Sequence, residues 1–511
     1  MKFIKPLLIT LSWLFLQNPA TAQLNIIKTQ NGLISGAVKG QISIYKGIPF
    51  AVPPVGDLRW KAPQPAANWA GIKKCTEFSA SPFQPDPKPF YCWSEEFIAP
   101  PQPLSEDCLY LNVWTGVKSA QEKRPVFVWI YGGGFNSGSA ACAIYDGEEM
   151  AKQGVIFVSI NYRVGPFGFM AHPELSKEQN NASGNYGLMD QISALKWVQK
   201  NIAAFGGDPH KVTIAGQSAG SMSVNCLVAS PLAKGLFQRA IAQSGGILTN
   251  RISTNLSDAE KMGETLQKKA NANNVAELRQ KSAEEILKIT QTNGLRMGVT
   301  LDGYVLPIDI TKQFKEGKYN DVPLLTGWVT GDGNLMPNQG LSAEKFKQQA
   351  TEKYGEKAQE YLKIFPANTD EEAKKSQTKL SLFSFAAMPA HLWAVYNKNP
   401  SFLYQVSHVP TDKPDFPNYG AFHTSEVPYA FHTLHTWKRP WQAHDLAVEK
   451  LMSSYWINFI KTGNPNGNGL PEWKKYDKKQ GVILEIDKQT VQKPALFKKE
   501  FDLLEELSAV K

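Results

Sequence analysis

A serine between two glycines is the residue whose setting in this sequence most clearly indicates chemistry. The Gly-x-Ser-x-Gly segment at residues 216–220 directly follows the β-rich run 212–215 and precedes an apolar stretch, 221–227, that is typical of a helix. A nucleophilic serine at such a strand-to-helix turn needs glycines on both sides, because larger side chains would collide in so tight a bend. The partial positive charge at the start of the helix would favour an oxyanion there. The pattern predicts that Ser218 is a nucleophile.

A run of three glycines upstream indicates where negative charge could be stabilised. Residues 132–134 follow the apolar run 125–130. A tetrahedral intermediate needs preformed donors at the position where its negative charge develops, and glycines leave the backbone N–H groups accessible. We expect the N–H groups of Gly133 and Gly134, with that of Ala219 directly after the serine, to form an oxyanion hole.

Eight histidines compete for the role of the base that takes the serine proton. After a nucleophile in this kind of turn the chain order is serine, acid, histidine, which excludes the two histidines upstream. His423 lies in a turn-rich segment shortly after an apparent strand at 402–406, and a loop there can bring its side chain over the sheet edge to the serine. His432 and His435 lie in a more helical, aromatic stretch that indicates packing or surface positions. His423 is the predicted base.

The acid that orients this histidine must lie between Ser218 and His423, on the loop of another strand. Residues 322–327 form a short apolar strand that ends in glycine, and Asp332 follows between two glycines that would let the loop fold inward. Asp302 is the rival, although an Asp-Gly pair is most often a plain turn. A buried, ionised Asp332 would fix the histidine tautomer and stabilise its imidazolium.

The segments around these residues alternate between strand and helix. The continuous apolar runs 125–130 and 155–160 are typical of strands buried on both faces. Residues 188–205 carry apolar side chains at spacings of three and four, which predicts a helix with one apolar stripe. This alternation predicts an α/β fold with a central, mostly parallel sheet and helices on both of its faces. The charged helical segment 254–292 would be an insertion or a cap above the sheet.

Length and charge indicate a large single domain that does not bind nucleic acid. The chain has 511 residues, of which 42% are hydrophobic, and no linker or block of like charge divides it. We therefore expect one domain over residues 23–511. The net charge of +9 is spread along the chain, whereas nucleic-acid binding requires a focused basic face.

Residues 1–22 have the pattern of a cleavable export signal. A lysine-containing start is followed by a short apolar run and by Ala20-Thr21-Ala22, the small residues that signal peptidase requires. The apolar run is well short of the roughly 20 residues needed to cross a bilayer. Residue 23 is Gln rather than the Cys of a lipoprotein. We predict cleavage after Ala22 and a secreted or periplasmic protein that is not bound to a membrane.

The cysteine pattern favours one disulfide and no metal site. Five cysteines in an exported chain leave at least one unpaired. Cys75, Cys92 and Cys108 lie in one stretch before the first long strand, which favours a disulfide between two of these three. None of the five has the Cys-x-x-Cys spacing of a zinc or redox site. Cys226 lies in an apolar helical stretch and is predicted to be a small buried hydrophobe.

Several further segments resemble the signatures of a single family. They are Glu106-Asp107-Cys108-Leu109-Tyr110-Leu111-Asn112-Val113, Gly47-Ile48-Pro49-Phe50 with Arg59-Trp60, and residues 161–165, 184–187 and 205–209. Together with the glycine-flanked serine, and over nearly the whole mature chain, these segments resemble the type-B carboxylesterases and cholinesterases. The resemblance implies an α/β-hydrolase fold, a deep gorge leading to the serine, no metal or organic cofactor, and ester hydrolysis through an acyl-enzyme.

Matched residue by residue, the resemblance implies the same site as the reasoning above. It makes Ser218 the nucleophile, Asp332 the acid and His423 the base, with the N–H groups of Gly133, Gly134 and Ala219 as the oxyanion hole. Ser244 matches a buried serine that supports the family's histidine.

Two residues depart from the pattern that many relatives share. Gln217 stands where a glutamate often precedes the nucleophile, so a negative charge near the histidine is missing. We expect a less stabilised imidazolium and a lower kinetic pKa than in relatives that carry the glutamate. The acid is Asp332 where many relatives carry glutamate, so its loop must approach the histidine more closely.

Two other functions occur on the same fold, namely a non-catalytic binding module and a serine peptidase. The full set of catalytic residues favours the esterase. The sequence leaves open whether the ester is a small molecule or a carbohydrate, and it does not indicate the oligomeric state. Five aromatic residues could line an acyl or alcohol pocket, although aromatic residues more often belong to the core: Trp93, Phe135, Phe167, Phe383 and Phe385.

Overall fold

The computed structural model of the protein describes residues 25–249, 253–336, 340–414 and 416–509. The predicted export signal and its cleavage site lie outside the described residues. Among the helices within them, none has the length and apolar character needed to cross a membrane.

The described residues form the following strands, numbered in chain order: β1 Ile26–Thr29, β2 Gly32–Ser35, β3 Ala37–Lys39, β4 Ile42–Pro49, β5 Ile72–Lys74, β6 Ser81–Pro82, β7 Leu104–Ser105, β8 Tyr110–Thr115, β9 Arg124–Ile130, β10 Ile156–Ile160, β11 Gly207–Gln217, β12 Arg239–Gln243, β13 Thr254–Asn255, β14 Thr300–Leu301, β15 Leu324–Val329, β16 Ser401–Val406, β17 Ile483–Ile486 and β18 Val491–Lys493.

The α-helices are α1 Glu148–Lys152, α2 Gly165–Phe169, α3 Pro173–Glu178, α4 Tyr186–Asn201, α5 Ala219–Ala229, α6 Leu256–Lys269, α7 Val275–Arg279, α8 Ala283–Thr292, α9 Ile310–Lys315, α10 Ala343–Tyr354, α11 Ala358–Ile364, α12 Asp370–Leu382, α13 Met388–Tyr396, α14 Val427–Phe431, α15 Ala443–Thr462 and α16 Lys498–Ala509. A π-helical turn, Phe383–Ala387, joins α12 to α13.

One sheet of 11 strands organises the protein, in the order β18-β17-β16-β15-β12-β11-β9-β10-β8-β4-β3. The strands from β17 to β10 along this order pair in parallel, and antiparallel strands complete both edges. The central strands are buried on both faces, which explains their continuous apolar sequences. The predicted α/β-hydrolase fold with a mostly parallel sheet is confirmed.

The segment after β12, predicted to be a helical insertion or a cap, does not line the cavity at Ser218. Helices α6 to α8 form there as predicted, and the Ser282 side chain accepts the N–H of Glu285 at the start of α8. Gly263 of α6 packs closely against the backbone of Ala171, since a Cβ at this glycine would lie 1.8 Å from the Ala171 carbonyl oxygen. No described residue of segment 254–292 lines the cavity at Ser218, so the walls of that cavity come from other loops.

The prediction of a disulfide among the first three cysteines is wrong for this structure. All five cysteines are free and buried. The backbone of Cys75 is hydrogen-bonded to Ser35 and Lys46, whereas Cys92 precedes a tryptophan that lines the cavity at Ser218 and Cys108 precedes β8. Proximity in sequence therefore does not bring these thiols together. Burial raises the pKa of the Cys75 thiol to about 11 and that of Cys92 to about 12, which keeps both protonated and unreactive.

Candidate active site

Ser218 occupies a strained turn between β11 and α5. Its backbone has φ 59° and ψ −125°, a conformation that costs a non-glycine residue on the order of 1–3 kcal/mol. A Cβ on Gly216 would lie 2.3 Å from the backbone of Gly220, and one on Gly220 would lie 2.0 Å from the carbonyl oxygen of Ile130. Both glycines are therefore required by close backbone approach. The turn holds the Ser218 side chain partly exposed at the end of the sheet.

The glycine loop after β9 presents free backbone donors beside this serine. Gly133 and Gly134 have φ of 115° and 62°, and a Cβ on Gly133 would lie 2.2 Å from the carbonyl oxygen of Ser137. In the described part of the chain, no turn or loop hydrogen bond takes up the N–H of either glycine. Ala219 is the first residue of α5, so its N–H has no partner within the helix. These three residues line the same cavity as Ser218.

His423 and Asp332 come together from loops 91 residues apart in sequence. Nδ1 of His423 lies 2.6 Å from Oδ1 of Asp332, and both side chains are buried. The second oxygen of Asp332 accepts the N–H of Val329, 3.1 Å away, at the end of β15. Gly331 donates its N–H to the carbonyl oxygen of Ala421, and a Cβ at this glycine would lie 2.4 Å from that oxygen. The glycine thus lets the two loops touch.

Ser218 and His423 face one cavity of about 740 Å³. Within the residues that the structure describes, the Ser218 hydroxyl makes no hydrogen bond to the imidazole. In enzymes without substrate the catalytic hydrogen bonds are often long and shorten in the Michaelis complex. The shared cavity, rather than a preformed hydrogen bond, therefore relates these two side chains.

The side-chain amide of Gln217 contacts the ring face of the His423 imidazole. Its amide nitrogen lies 3.1 Å from Nε2 and 3.3 Å from Nδ1 of His423. A nitrogen nearly equidistant from both must lie over the ring face, because an in-plane approach would collide with Cε1. The amide oxygen accepts the hydroxyl of Thr424, which in turn accepts the indole N–H of Trp93. This chain of contacts holds the amide over the ring face and out of the ring plane in which Nε2 would accept a proton.

Replacing Gln217 with glutamate is expected to raise the pKa of the acid limb of kcat/KM by about one pH unit. A carboxylate over the ring face would stabilise the imidazolium, since an opposite charge at this distance favours the charged form. The measurement is the pH dependence of kcat/KM for wild type and Gln217→Glu, with the uncharged Gln217→Met as the control that leaves the limb in place. If the pKa of the acid limb is unchanged or lower in the glutamate variant, the predicted role of residue 217 is refuted.

Three of the five aromatic residues considered for the pocket line the cavity: Trp93, Phe135 and Phe385. The rings of Trp93 and Phe385 pack edge-on against His423, with centroids 6.1 and 5.3 Å away. The other two are buried in the core, which the sequence analysis gave as the more common environment of aromatic residues. Phe167 packs against Phe83, and Phe383 packs in the core against the segment that leads into α16. Both residues lie in the π-helical turn, and side chains two positions apart in a helical turn point to different sides.

Ser244 is buried as predicted, but its hydroxyl contacts an acid that the sequence analysis missed. It donates to Oε1 of Glu426 at 3.2 Å. Burial, and then the charge of the neighbouring Asp332, raise the pKa of the Glu426 carboxyl to about 8. Glu426 is therefore mostly protonated at neutral pH, which avoids a second negative charge beside Asp332. The sequence signal that could have identified Glu426 is an acidic residue three positions after His423, directly before the apolar segment 427–431.

The rival acid, Asp302, has a structural role. Its Oδ1 accepts the N–H groups of Tyr304, Val305 and Leu306, as in a plain turn. Burial raises the pKa of this carboxyl. Asp302 does not line the cavity that contains Ser218 and His423.

The fold and this arrangement define a serine hydrolase with the α/β-hydrolase architecture. The chain belongs to the carboxylesterase family, whose model matches residues 23–504. It is accordingly a serine enzyme that hydrolyses carboxylic esters, and its family acts on small-molecule esters.

Individual relatives agree with this family. The chain is 35% identical over 488 residues to the para-nitrobenzyl esterase of Bacillus subtilis (strain 168), and the alignment covers 91% of this chain and 95% of the relative. It is 34% identical over 483 residues to the fumonisin B1 esterase of Sphingopyxis macrogoltabida, covering 89% and 85%. A solved structure of a PNB esterase superposes with a TM-score of 0.82 at 31% identity, over 94% of this chain and 99% of that chain.

Proposed function

We propose that Ser218, His423 and Asp332 are the catalytic triad of this esterase. The contact of 2.6 Å between Nδ1 of His423 and Oδ1 of Asp332, on the wall of the cavity that contains Ser218, carries the proposal. The acid holds Nδ1 protonated, so the lone pair of Nε2 is available as a base. Two buried loops joined through Gly331 keep this orientation fixed.

The reaction proceeds in two acyl-transfer steps. His423 takes the proton of Ser218 as the serine oxygen attacks the ester carbonyl, and the N–H groups of Gly133, Gly134 and Ala219 stabilise the oxyanion. The alcohol leaves with the proton from His423. Water then attacks the acyl-enzyme with the same base, and Ser218 is released with its proton.

The lining of the cavity favours small esters with an apolar or aromatic acyl or alcohol group. Most of the side chains around the serine are apolar, among them Phe97, Ile98, Tyr145, Met222 and Met336. A volume of about 740 Å³ lies in the range of drug-sized ligand sites. A carbohydrate ester would place part of its hydroxyl groups against these apolar walls, and each hydroxyl left without a hydrogen-bond partner there costs binding free energy.

We also propose that the mature protein is a single domain over residues 23–511, secreted or periplasmic after cleavage behind Ala22. The leader pattern of the sequence supports export. One continuous sheet that runs from β3, near the start of the mature chain, to β18, near its end, supports a single domain.

Covalent trapping and a substrate series test the proposal. A fluorophosphonate should inactivate the enzyme with one equivalent bound, and peptide mass spectrometry should find the adduct on Ser218. Among p-nitrophenyl esters, kcat/KM should rise from acetate to medium-length acyl chains and should exceed that for methyl ferulate and acetylated xylan. An adduct on another residue would reject the nucleophile. Preference for acetylated xylan would reject the substrate class, and comparable turnover of a matched anilide would indicate a peptidase.

A further inference from the structure

A second group of histidine and carboxylate side chains lies at the base of the loop that carries His423. His408 lies two residues after the end of β16, Asp487 follows β17 directly, and His444 and Asp445 lie in the first turn of α15. None of them lines the active-site cavity. One ligand atom from each of His408, His444 and Asp445 lies within 4.8 Å of the others, which is found for no other such group among the described residues.

The distances within this group suit a small divalent cation. Nε2 of His408 lies 2.9 Å from Oδ1 of Asp445, and Nε2 of His444 lies 3.6 Å from Oδ2 of Asp445. Zinc binds nitrogen and oxygen at about 2.0–2.2 Å, so its neighbouring ligand atoms lie roughly 3–3.6 Å apart. The three ligand atoms lie within 4.8 Å of one another, so His444, whose side chain is 33% exposed, must turn toward the other two ligands to complete the set.

His408 is flanked by a carboxylate at each ring nitrogen. Its Nδ1 lies 3.4 Å from Oδ1 of Asp487 and its Nε2 faces Asp445, while its side chain is only 1% exposed. Nδ1 has no hydrogen bond of good geometry within the described residues. A neutral imidazole carries one proton and can satisfy only one of two carboxylates. If the proton is on Nδ1 and is donated to Asp487, a cation bound at Nε2 can neutralise the other carboxylate, Asp445. This is the carboxylate–histidine–metal arrangement of many protein sites.

Asp445 is held rigidly for such a role. Its Oδ1 accepts the phenol O–H of Tyr429 at 2.9 Å, and its Oδ2 accepts the N–H of Gln442 at 3.0 Å and the hydroxyl of Thr411. These donors fix the carboxylate plane before any cation arrives. The elements that meet at Asp445 also enclose the loop of His423, since His408 and Thr411 precede that histidine and Tyr429 follows it.

We propose that His408, His444 and Asp445 form a binding site for a zinc-like divalent transition metal, with Asp487 as the partner of the His408 Nδ1–H. Two imidazoles and one carboxylate select zinc, nickel or copper over magnesium and calcium, which prefer oxygen ligands. The exposed side of His444 leaves the fourth position to water. The bound ion ties the end of β16 to α15 and so stabilises both ends of the loop that carries His423.

Calorimetric titration of the mature, chelator-treated protein with zinc chloride tests this site. One equivalent should bind with micromolar or tighter affinity, and the thermal midpoint should rise with zinc, whereas magnesium chloride should do neither. His444→Ala should weaken zinc binding at least tenfold, and Asp487→Asn by about 10- to 100-fold. Both residues are partly exposed, so these variants should fold.

Two controls make the outcome decisive. His435→Ala removes an exposed histidine outside the group and should leave zinc binding unchanged. His423→Ala should also leave it unchanged, which distinguishes this site from zinc capture by the catalytic histidine. Absence of binding at micromolar zinc, or binding that survives His444→Ala and Asp487→Asn, overturns the proposal. Binding lost only in His423→Ala would assign the ion to the active site and equally overturn it.

Discussion

Replacing Ser218 with alanine is expected to lower kcat for ester hydrolysis roughly 10,000- to 1,000,000-fold, since the oxygen that forms the acyl-enzyme is removed while the oxyanion amides remain. The fold should be unaffected. Alanine keeps the Cβ, so the strained turn at φ 59° is the same in both proteins, and no hydrogen bond of the described structure depends on the hydroxyl. The free energy of unfolding should therefore change by no more than about 0.5 kcal/mol.

The measurement is single-turnover and steady-state hydrolysis of p-nitrophenyl butyrate by the purified variant, beside a urea unfolding curve. Ser193→Ala, on α4 and away from the active-site cavity, is the matched serine control and should retain wild-type kcat. A Ser218→Ala protein that unfolds normally and still turns over at a substantial fraction of the wild-type rate would show that the nucleophile is another residue.

Replacing Asp332 with asparagine is expected to lower kcat about 10,000-fold by trapping the wrong imidazole tautomer. Val329 donates its N–H to Oδ2 of Asp332, and this donor would orient the new amide with its oxygen toward Val329. The amide nitrogen would then face Nδ1 of His423 and donate to it. Nδ1 would become the acceptor and Nε2 would carry the proton, so Nε2 could no longer take the proton of Ser218.

Steady-state kinetics and fluorophosphonate labelling of Asp332→Asn check this expectation, because the loss of the base should slow labelling of Ser218 to a similar degree. Asp302→Asn is the matched control. It changes the rival carboxyl, which accepts N–H groups of its own turn and does not line the cavity at Ser218, and it should leave kcat near the wild-type value even where it lowers the thermal midpoint. A larger loss of kcat in Asp302→Asn than in Asp332→Asn would reverse the assignment.

Residues of the same type that lie close together in the sequence have different environments in the structure. Phe383 and Phe385 lie two positions apart in one π-helical turn, yet one belongs to the core and the other packs on His423, because side chains at this spacing point to different sides of the turn. Cys75, Cys92 and Cys108 are close in sequence and remain free thiols. No pattern of residue types records these outcomes, since each depends on where a whole segment docks.

The sequence by itself determined the features that local sterics control. Glycines 216 and 220 specify the tight turn at Ser218, the glycines at 132–134 expose backbone donors, and continuous apolar runs specify strands buried on both faces. Only the tertiary structure decided the approach of Asp332 to His423, the position of the Gln217 amide over the imidazole, and the burial of Glu426 against Ser244. Such contacts join loops that are far apart in sequence, and their geometry follows from the packing of the whole sheet rather than from any local pattern.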